Sequence, residues 1–206
     1  MEQARPSAAK IVEFINGICP ISQETMHFMQ QHIFPLSLKK GQYLLQPGEI
    51  CGHYYYINKG ILRSYIKYGS KDITVWINPE NEITTSIRSM TRQQPSDEYI
   101  QAVEDCELFA LSFEAVREMY ERFPDMNQFA RILLELYYAE TEERVYIGRI
   151  PNANARYAHF IQSRPELVNR IPLKYVASYL GITLETLSRL RAKQARKTVT
   201  SKTKSP

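Results

Sequence analysis

Apolar positions along the chain change their period three times, and each change marks a new kind of element. Between residues 8 and 32, Ile11, Phe14, Ile15 and Ile18 recur at the spacing of a helix, and Gly17 to Pro20 interrupts the pattern. Ser22, with Thr25 three places on, opens a second short helix. From about Pro35 to Ser112 the texture differs. Short apolar or aromatic runs (YLLQ, YYYI, ILRSYIKY, ITVWI, YIQAV and LFALS) alternate with turn signals. The turns fall at Lys40-Gly41, Pro47-Gly48, Asn58-Lys59-Gly60, Gly69-Ser70 and Asn78-Pro79. Short strands at this spacing predict a small antiparallel barrel or jelly roll, which closes its own sheet edges.

The helical period returns in FEAVREMYERF, which ends before Pro124. Asp125 to Arg149 then reads as one helix of about 25 residues, roughly 38 Å long. Met126, Phe129, Leu133 and Leu136 form one apolar stripe on it, and Ile132, Leu136 and Ala139 a second. A helix apolar on two sides needs two partner surfaces. Its own barrel supplies one, and the same helix of a second subunit is expected to supply the other. Glu140, Glu142 and Glu143 thin that seam toward its C-terminal end. Pro151-Asn152 breaks the helix and marks a domain boundary. The expected organisation is therefore α+β. An N-terminal β-barrel with its leading helices occupies residues 1–124, a dimerisation helix 125–150 and a C-terminal domain 151–206.

In that last part, residues 171–193 read IPLKYVASYLGITLETLSRLRAK. Ala177 has no bulk, so a second helix can cross closely over it. Gly181 can take φ > 0 where the first helix must turn sharply. Thr183 offers a hydroxyl to cap the next helix, and Leu187 and Leu190 lie on its inner face against Val176 and Leu180. The spacing predicts a helix-turn-helix. Glu185, Ser188 and Arg189 lie on the outer face, followed by Arg191, Lys193, Arg196 and Lys197.

Charge sharpens this picture. Residues 151–206 carry 11 Lys/Arg against 2 Asp/Glu, while residues 1–150 carry 15 against 20. The +4 of the whole chain thus hides a basic C-terminal module on an acidic body. No acidic residue follows Glu185, which favours contact with a polyanion through counterion release. The Ser/Thr/Lys-rich tail after Arg196 is expected to stay unstructured until it meets an anion. No run of about 18 apolar residues occurs, and MEQARPSAAKIVEF lacks a signal-peptide core, so a cytoplasmic protein away from membranes is expected. Cys19, Cys51 and Cys106 are scattered and odd in number, and His27, His32, His53 and His159 have no ligand spacing. Neither pattern calls for a metal or other cofactor.

A barrel, a long helix and a helix-turn-helix, in that order, resemble the Crp/Fnr family of bacterial transcription regulators, across roughly residues 22–193. KKGQYLLQPGEICGHYYYINKGILRSY is similar to the family's early strands, with Gly41, Gly48 and Gly60 at their turns. AVEDCELFALSFEAVREMYERFP is similar to its last strands and following helix, and GITLETLSRLRAK to its recognition helix. The resemblance implies a homodimeric, sequence-specific DNA-binding regulator that binds an inverted-repeat operator and works with RNA polymerase. Its barrel would sense a small-molecule effector. The resemblance places Glu185 and Arg189 at positions used on base edges and phosphates. The outer face and its charge add Lys174, Thr183, Leu184, Ser188, Arg191 and Lys193 as expected DNA contacts, with Lys174, Arg191 and Lys193 on phosphates.

Three departures from the family are visible. Members that bind cyclic nucleotides carry an Arg-Ser or Arg-Thr pair just before the strand corresponding to Tyr99–Val103, where this chain has Ser96-Asp97. Asp97 and Glu98 would repel a phosphate, so the effector is expected not to be a cyclic nucleotide. Glu82, Arg88, Arg92, Ser96 and Asp97 remain as candidate pocket residues. Iron–sulfur members need a cysteine cluster that three separated cysteines do not supply. Leu184 replaces an arginine that many members use for guanine, so the operator should differ. Little sequence follows the recognition helix from which to build a wing.

The rival classes are a cupin-like metal-dependent enzyme and a ligand-binding barrel without DNA. In the barrel region only His53 is a histidine, and Glu49 beside it does not complete a metal set. No GxSxG, Gly-rich phosphate loop or Cys–His pairing is present, so the expectation is a non-enzyme. A barrel without DNA would leave the basic C-terminal part unexplained.

Overall fold

The structure is a computed structural model that describes residues 9–202, and the side chains of residues 10–193. Two short helices, α1 (Ala9–Ile18) and α2 (Gln23–His32), lead into the strands. These are β1 (Phe34–Leu38), β2 (Tyr43–Leu45), β3 (His53–Lys59), β4 (Leu62–Tyr68), β5 (Lys71–Asn78), β6 (Ile83–Thr84), β7 (Tyr99–Ala102) and β8 (Cys106–Ser112). They form two four-stranded sheets, ordered β1-β8-β3-β6 and β2-β7-β4-β5, a jelly-roll arrangement with antiparallel pairing. One element interrupts the strand pattern that the sequence predicts. Residues Ile87–Arg92 form a six-residue helix, α3, between β6 and β7, ended by Gln93 at φ 51°. Six residues are too few for a readable 3.6-residue period; the helix is held instead by Met90, fully buried beneath it.

Strands β3 and β8 lie side by side with Tyr55 opposite Ala110, Tyr56 opposite Phe109 and Ile57 opposite Leu108. Both faces of this pair are buried. Tyr55, Ile57, Leu108 and Ala110 face a core shared with Leu45, Leu62, Met90, Ile100 and Ala102. Tyr56 and Phe109 face a second core, filled by Ile11, Ile15, Phe28, Met29, Met119, Phe123, Met126 and Phe129 from the helices. At the β3–β4 turn Gly60 takes φ 97°, and a Cβ there would sit 2.7 Å from both Asp105 O and Cys106 Sγ. No other residue type allows the β7–β8 turn to approach so closely.

Helix α4 (Phe113–Arg122) starts at Ser112, whose hydroxyl accepts from Ala115 N. The next helix, α5, runs from Pro124 to Arg149. Asp125, in its first turn, serves a distant helix. Its carboxylate accepts from Ser22 N at 2.6 Å and from the buried Thr25 hydroxyl at 2.8 Å, while the Ser22 hydroxyl accepts from Thr25 N. This is the logic of a capping box with the carboxylate supplied from elsewhere in the chain.

The stripes of α5 differ in part from the sequence reading. Met126 and Phe129 are buried and Ile132 and Leu133 pack on the same cluster, so the first stripe is covered as far as Leu133, while its last member, Leu136, is exposed. The exposed apolar side chains are Leu134, Leu136, Tyr138, Val145 and Tyr146. Leu134, Tyr138 and Val145 follow at steps of four and seven residues and therefore share one face. The free stripe thus runs beside Leu133 rather than through it.

The chain divides into two compact units, residues 1–71 with 75–138 and residues 72–74 with 139–206, so the division falls within α5. The second unit contains α6 (Ala153–Ser163), a 3-10 turn at Pro165–Leu167, α7 (Leu173–Leu180) and α8 (Leu184–Lys202). Where the sequence suggested an unstructured tail after Arg196, α8 continues to Lys202. No Gly or Pro stands between Gly181 and Pro206 to break it. Residues 203–206 of that tail lie outside the described residues.

Burial raises the Asp125 carboxyl, but the hydrogen bonds from Ser22, Thr25 and Met126 outweigh it and hold the group below its ordinary value. Its stabilising contribution is therefore present above the unfolded carboxyl range and is lost as pH falls through the lowered folded value. Asp125→Ala should cost about 1–2 kcal/mol at pH 7. Thermal unfolding at pH 7 and pH 3 checks this: the gap between wild type and variant should narrow in acid, and an unchanged gap would refute the assignment.

Candidate nucleic-acid interface and effector pocket

The hinge of the second unit forms as its residue types require. Helix α7 ends at Gly181, in the left-handed region at φ 62°, whose N–H donates to Ala177 O and Ser178 O. Ile182 N also donates to Ala177 O at 3.0 Å, which closes the turn. Val176, Ala177, Leu180 and Leu187 are buried together with Tyr157, Phe160, Leu167 and Ile171, and this core fixes where α8 starts. The Thr183 hydroxyl then accepts from Thr186 N at 3.2 Å, capping α8.

The polar face that results carries most of the sequence-predicted contacts. Thr183, Leu184, Glu185, Ser188, Arg189 and Lys193 are all exposed, and Lys174 is exposed on α7 with its ammonium 4.9 Å from the Tyr175 ring centre. Leu184 is among the exposed large apolar side chains, at 43%. The Glu185 carboxyl is held below its ordinary value by its own backbone N–H, then by the Thr183 hydroxyl, with Arg189 adding a favourable charge. It stands ionised, an acceptor beside a cation. Arg191, expected from the sequence to contact DNA, is engaged within its own unit. Its Nη1 donates to Val168 O at 3.1 Å and its Nη2 to Asn169 Oδ1 at 3.3 Å. One turn after the buried Leu187, it lies on the packed side of α8 rather than the open one.

In the barrel, the five candidate pocket residues fall into separate arrangements. Arg88 on α3 pairs with Asp97, and both are exposed. Ser96 is buried. Its hydroxyl lies 3.2 Å from that of Ser86 and accepts from Glu98 N, while its backbone exchanges hydrogen bonds with Gly48 and Glu49. Ser89 accepts from Cys51 N and donates to Gln94 O. Glu82 accepts from Asn78 Nδ2 at 2.9 Å, and Arg92 is exposed in the last turn of α3. Residues 86–98 thus spend these hydroxyls, and one of the two arginines, on one another.

Two residues of the barrel unit were missed by sequence reasoning. Arg63, in the run ILRSYIKY, is 1% exposed, with its guanidinium 4.1 Å over the Tyr65 ring. An arginine directly after the apolar pair Ile61-Leu62 was the available signal. Tyr137 of α5 donates to Ile83 O at 2.5 Å and accepts from Ile83 N at 2.9 Å, which ties α5 to β6 just before the 86–98 segment. No periodicity distinguishes it from its neighbour Tyr138. The cysteines are free and buried, and burial pushes the Cys106 thiol up to about 11. Among the described residues no three His, Cys, Asp or Glu side chains are grouped to hold a metal ion.

Comparison with known proteins agrees with this architecture. Residues 35–123 match the cyclic nucleotide-binding domain family. An anaerobic regulatory protein from Aggregatibacter actinomycetemcomitans is 25% identical over 166 residues, which is 74% of this chain and 63% of that protein. The chain therefore spans less than two thirds of the length of that relative. FixK2 from Bradyrhizobium japonicum superposes with a TM-score of 0.69 at 16% identity, covering 80% of this chain and 85% of that one. A protein from Eubacterium rectale assigned to the crp/fnr family of transcriptional regulators gives 0.67 at 16% identity, covering 85% of each. The chain thus resembles Crp/Fnr-type regulators in its barrel and in its fold. In its 86–98 segment Ser96 is folded into a hydrogen-bond set with Ser86 and Glu98, and Asp97 pairs with Arg88.

Cyclic AMP and cyclic GMP are accordingly expected not to bind at physiological concentrations in calorimetry. Saturable binding in the micromolar range would show that the segment opens to a phosphate.

Proposed function

We propose that this protein is a dimeric, sequence-specific DNA-binding regulator of transcription of the Crp/Fnr type, with a barrel that responds to an effector other than a cyclic nucleotide. The observation that carries the reading is the exposed face of α8, set on a buried hinge in the part of the chain that holds 11 Lys/Arg against 2 Asp/Glu. Such a face suits the major groove, and such a charge suits phosphate. Arg189 has the reach and the planar fork for a base edge or phosphate, and Glu185, one turn earlier, accepts from a cytosine amino group. Leu184 offers apolar contact to a thymine methyl, and Ser188 lies between them. Lys174 and Lys193 contact phosphates, which position the module without reading sequence. Thr183 caps the reading helix at the DNA surface.

Dimer formation uses the exposed stripe of α5, whose Leu134 and Tyr138 are 60% and 67% exposed. Two copies then place two α8 helices in successive major grooves, and the operator is an inverted repeat. RNA polymerase and a small-molecule effector are the remaining partners, and the cytoplasm is the compartment. Among the described residues no helix is long and apolar enough to cross a membrane. The activity is regulatory rather than enzymatic, in keeping with the relatives' names.

Half-sites selected from random duplexes should lie about one helical turn, roughly 34 Å, apart. Arg189→Ala or Glu185→Ala should change which sequence is preferred, at about 1–3 kcal/mol per direct base contact. Lys193→Ala should weaken every duplex alike and flatten the salt dependence by about one unit. Identical behaviour of Arg189→Ala and Lys193→Ala on operator and scrambled duplexes would remove the assigned reading face.

Leu134→Glu combined with Tyr138→Glu should yield monomers in sedimentation. A wild-type monomer at tens of micromolar would eliminate the dimer.

A further inference from the structure

The unexpected placement of Arg191 has a use. Helix α8 meets the rest of its unit through Leu187 and Leu190, of which Leu187 is fully buried. Apolar contact is non-directional, so by itself it leaves a helix free to roll or slide by a fraction of an ångström. The Arg191 fork supplies direction. Its two terminal nitrogens reach Val168 O and Asn169 Oδ1, both in the segment after the 3-10 turn, whose Leu167 and Ile171 are 1% and 5% exposed. The same cation lies close enough to the buried Tyr157 of α6 to oppose the rise that burial imposes on its phenol. One side chain thereby ties the 164–171 segment to α8, while Glu185, Ser188 and Arg189 stay exposed.

We propose that Arg191 is a positioning residue for sequence recognition: it fixes the roll of α8 through Val168 and Asn169 and touches no phosphate. The inference rests on the reading of α8 as a DNA-recognition helix. A planar guanidinium bonds two acceptors in fixed geometry, which a lysine ammonium at the end of a flexible stem cannot do. Arg191→Lys keeps the charge and loses the geometry, so it separates this role from a phosphate contact.

The test uses the full chain, the duplex it enriches most from a random library, and a scrambled duplex of the same composition, at several salt concentrations. Arg191→Met and Arg191→Lys should each lower the preference for the enriched duplex about tenfold, the size expected from losing a charged hydrogen bond. Both should leave the slope of log K against log salt unchanged. Asn169→Ala should lose preference in the same direction to a smaller degree, with Arg191 still present. Lys193→Ala is the comparison that flattens the slope. Restored preference in Arg191→Lys, or a slope flattened by about one unit in Arg191→Met, would assign Arg191 to a phosphate and overturn the proposal. So would an unchanged preference in Asn169→Ala, which holds the test should Arg191→Met fail to fold. Failure of the wild type to enrich any duplex would overturn the DNA reading itself and this role with it, a result distinguishable from enrichment with Arg191 indifferent.

Discussion

Strands β3 and β8 are buried on both faces, and the placing of the barrel's parts follows from that. A strand in this position cannot alternate apolar with polar residues, because each side chain meets one core or the other. The chain answers with the uninterrupted runs YYYI and LFAL, paired so that Tyr56 and Phe109 leave the barrel core and enter the helical one. A one-residue slip would send Ile57 and Leu108 out of the barrel core and put every side chain on the wrong wall. The approach of the β7–β8 turn to Gly60 belongs to the same constraint, since it sets where β8 begins.

The outer core then decides which side of α5 is available. Met126 and Phe129 are consumed against α1, α2 and α4, and Asp125 secures the α2 terminus from the first turn of α5. What remains uncovered is the stripe containing Leu134 and Tyr138, together with Leu136, the last member of the stripe that spacing alone selects. The polar clamp from Tyr137 to Ile83 connects this helix to the strand that precedes the 86–98 segment.

In the second unit, the proposed recognition face rests on the contrast between a dry side and a wet side of α8. Gly181 and Ala177 permit the close crossing, Leu187 is the knob within it, and the outer side is left to Leu184, Glu185, Ser188 and Arg189. The charges around it do unlike work. Lys174 and Lys193 are solvent-facing, whereas the Arg191 fork bonds backbone and side-chain oxygens of its own unit. Counting cations along the tail measures attraction to a polyanion and says little about which of them touch it.

The sequence by itself determined the order of elements, because a change of period from helical to alternating and back is a one-dimensional property. It also determined the hinge, whose Ala177, Gly181 and Thr183 follow from local backbone geometry, and the charge division of the chain. The absence of a cation at Ser96-Asp97 was legible as well. Only the tertiary structure decided which stripe of α5 the barrel takes, because Leu133 and Leu134 are equally apolar and differ only in what lies opposite. It also decided that Arg191 turns inward while Arg189 turns outward. Two residues apart on a helix, they point about 200° apart, and the Val168 carbonyl and the Asn169 amide oxygen that hold Arg191 come from a segment more than 20 residues earlier. Contacts between distant parts of the chain leave no mark on local pattern, and that is where the sequence reading stopped.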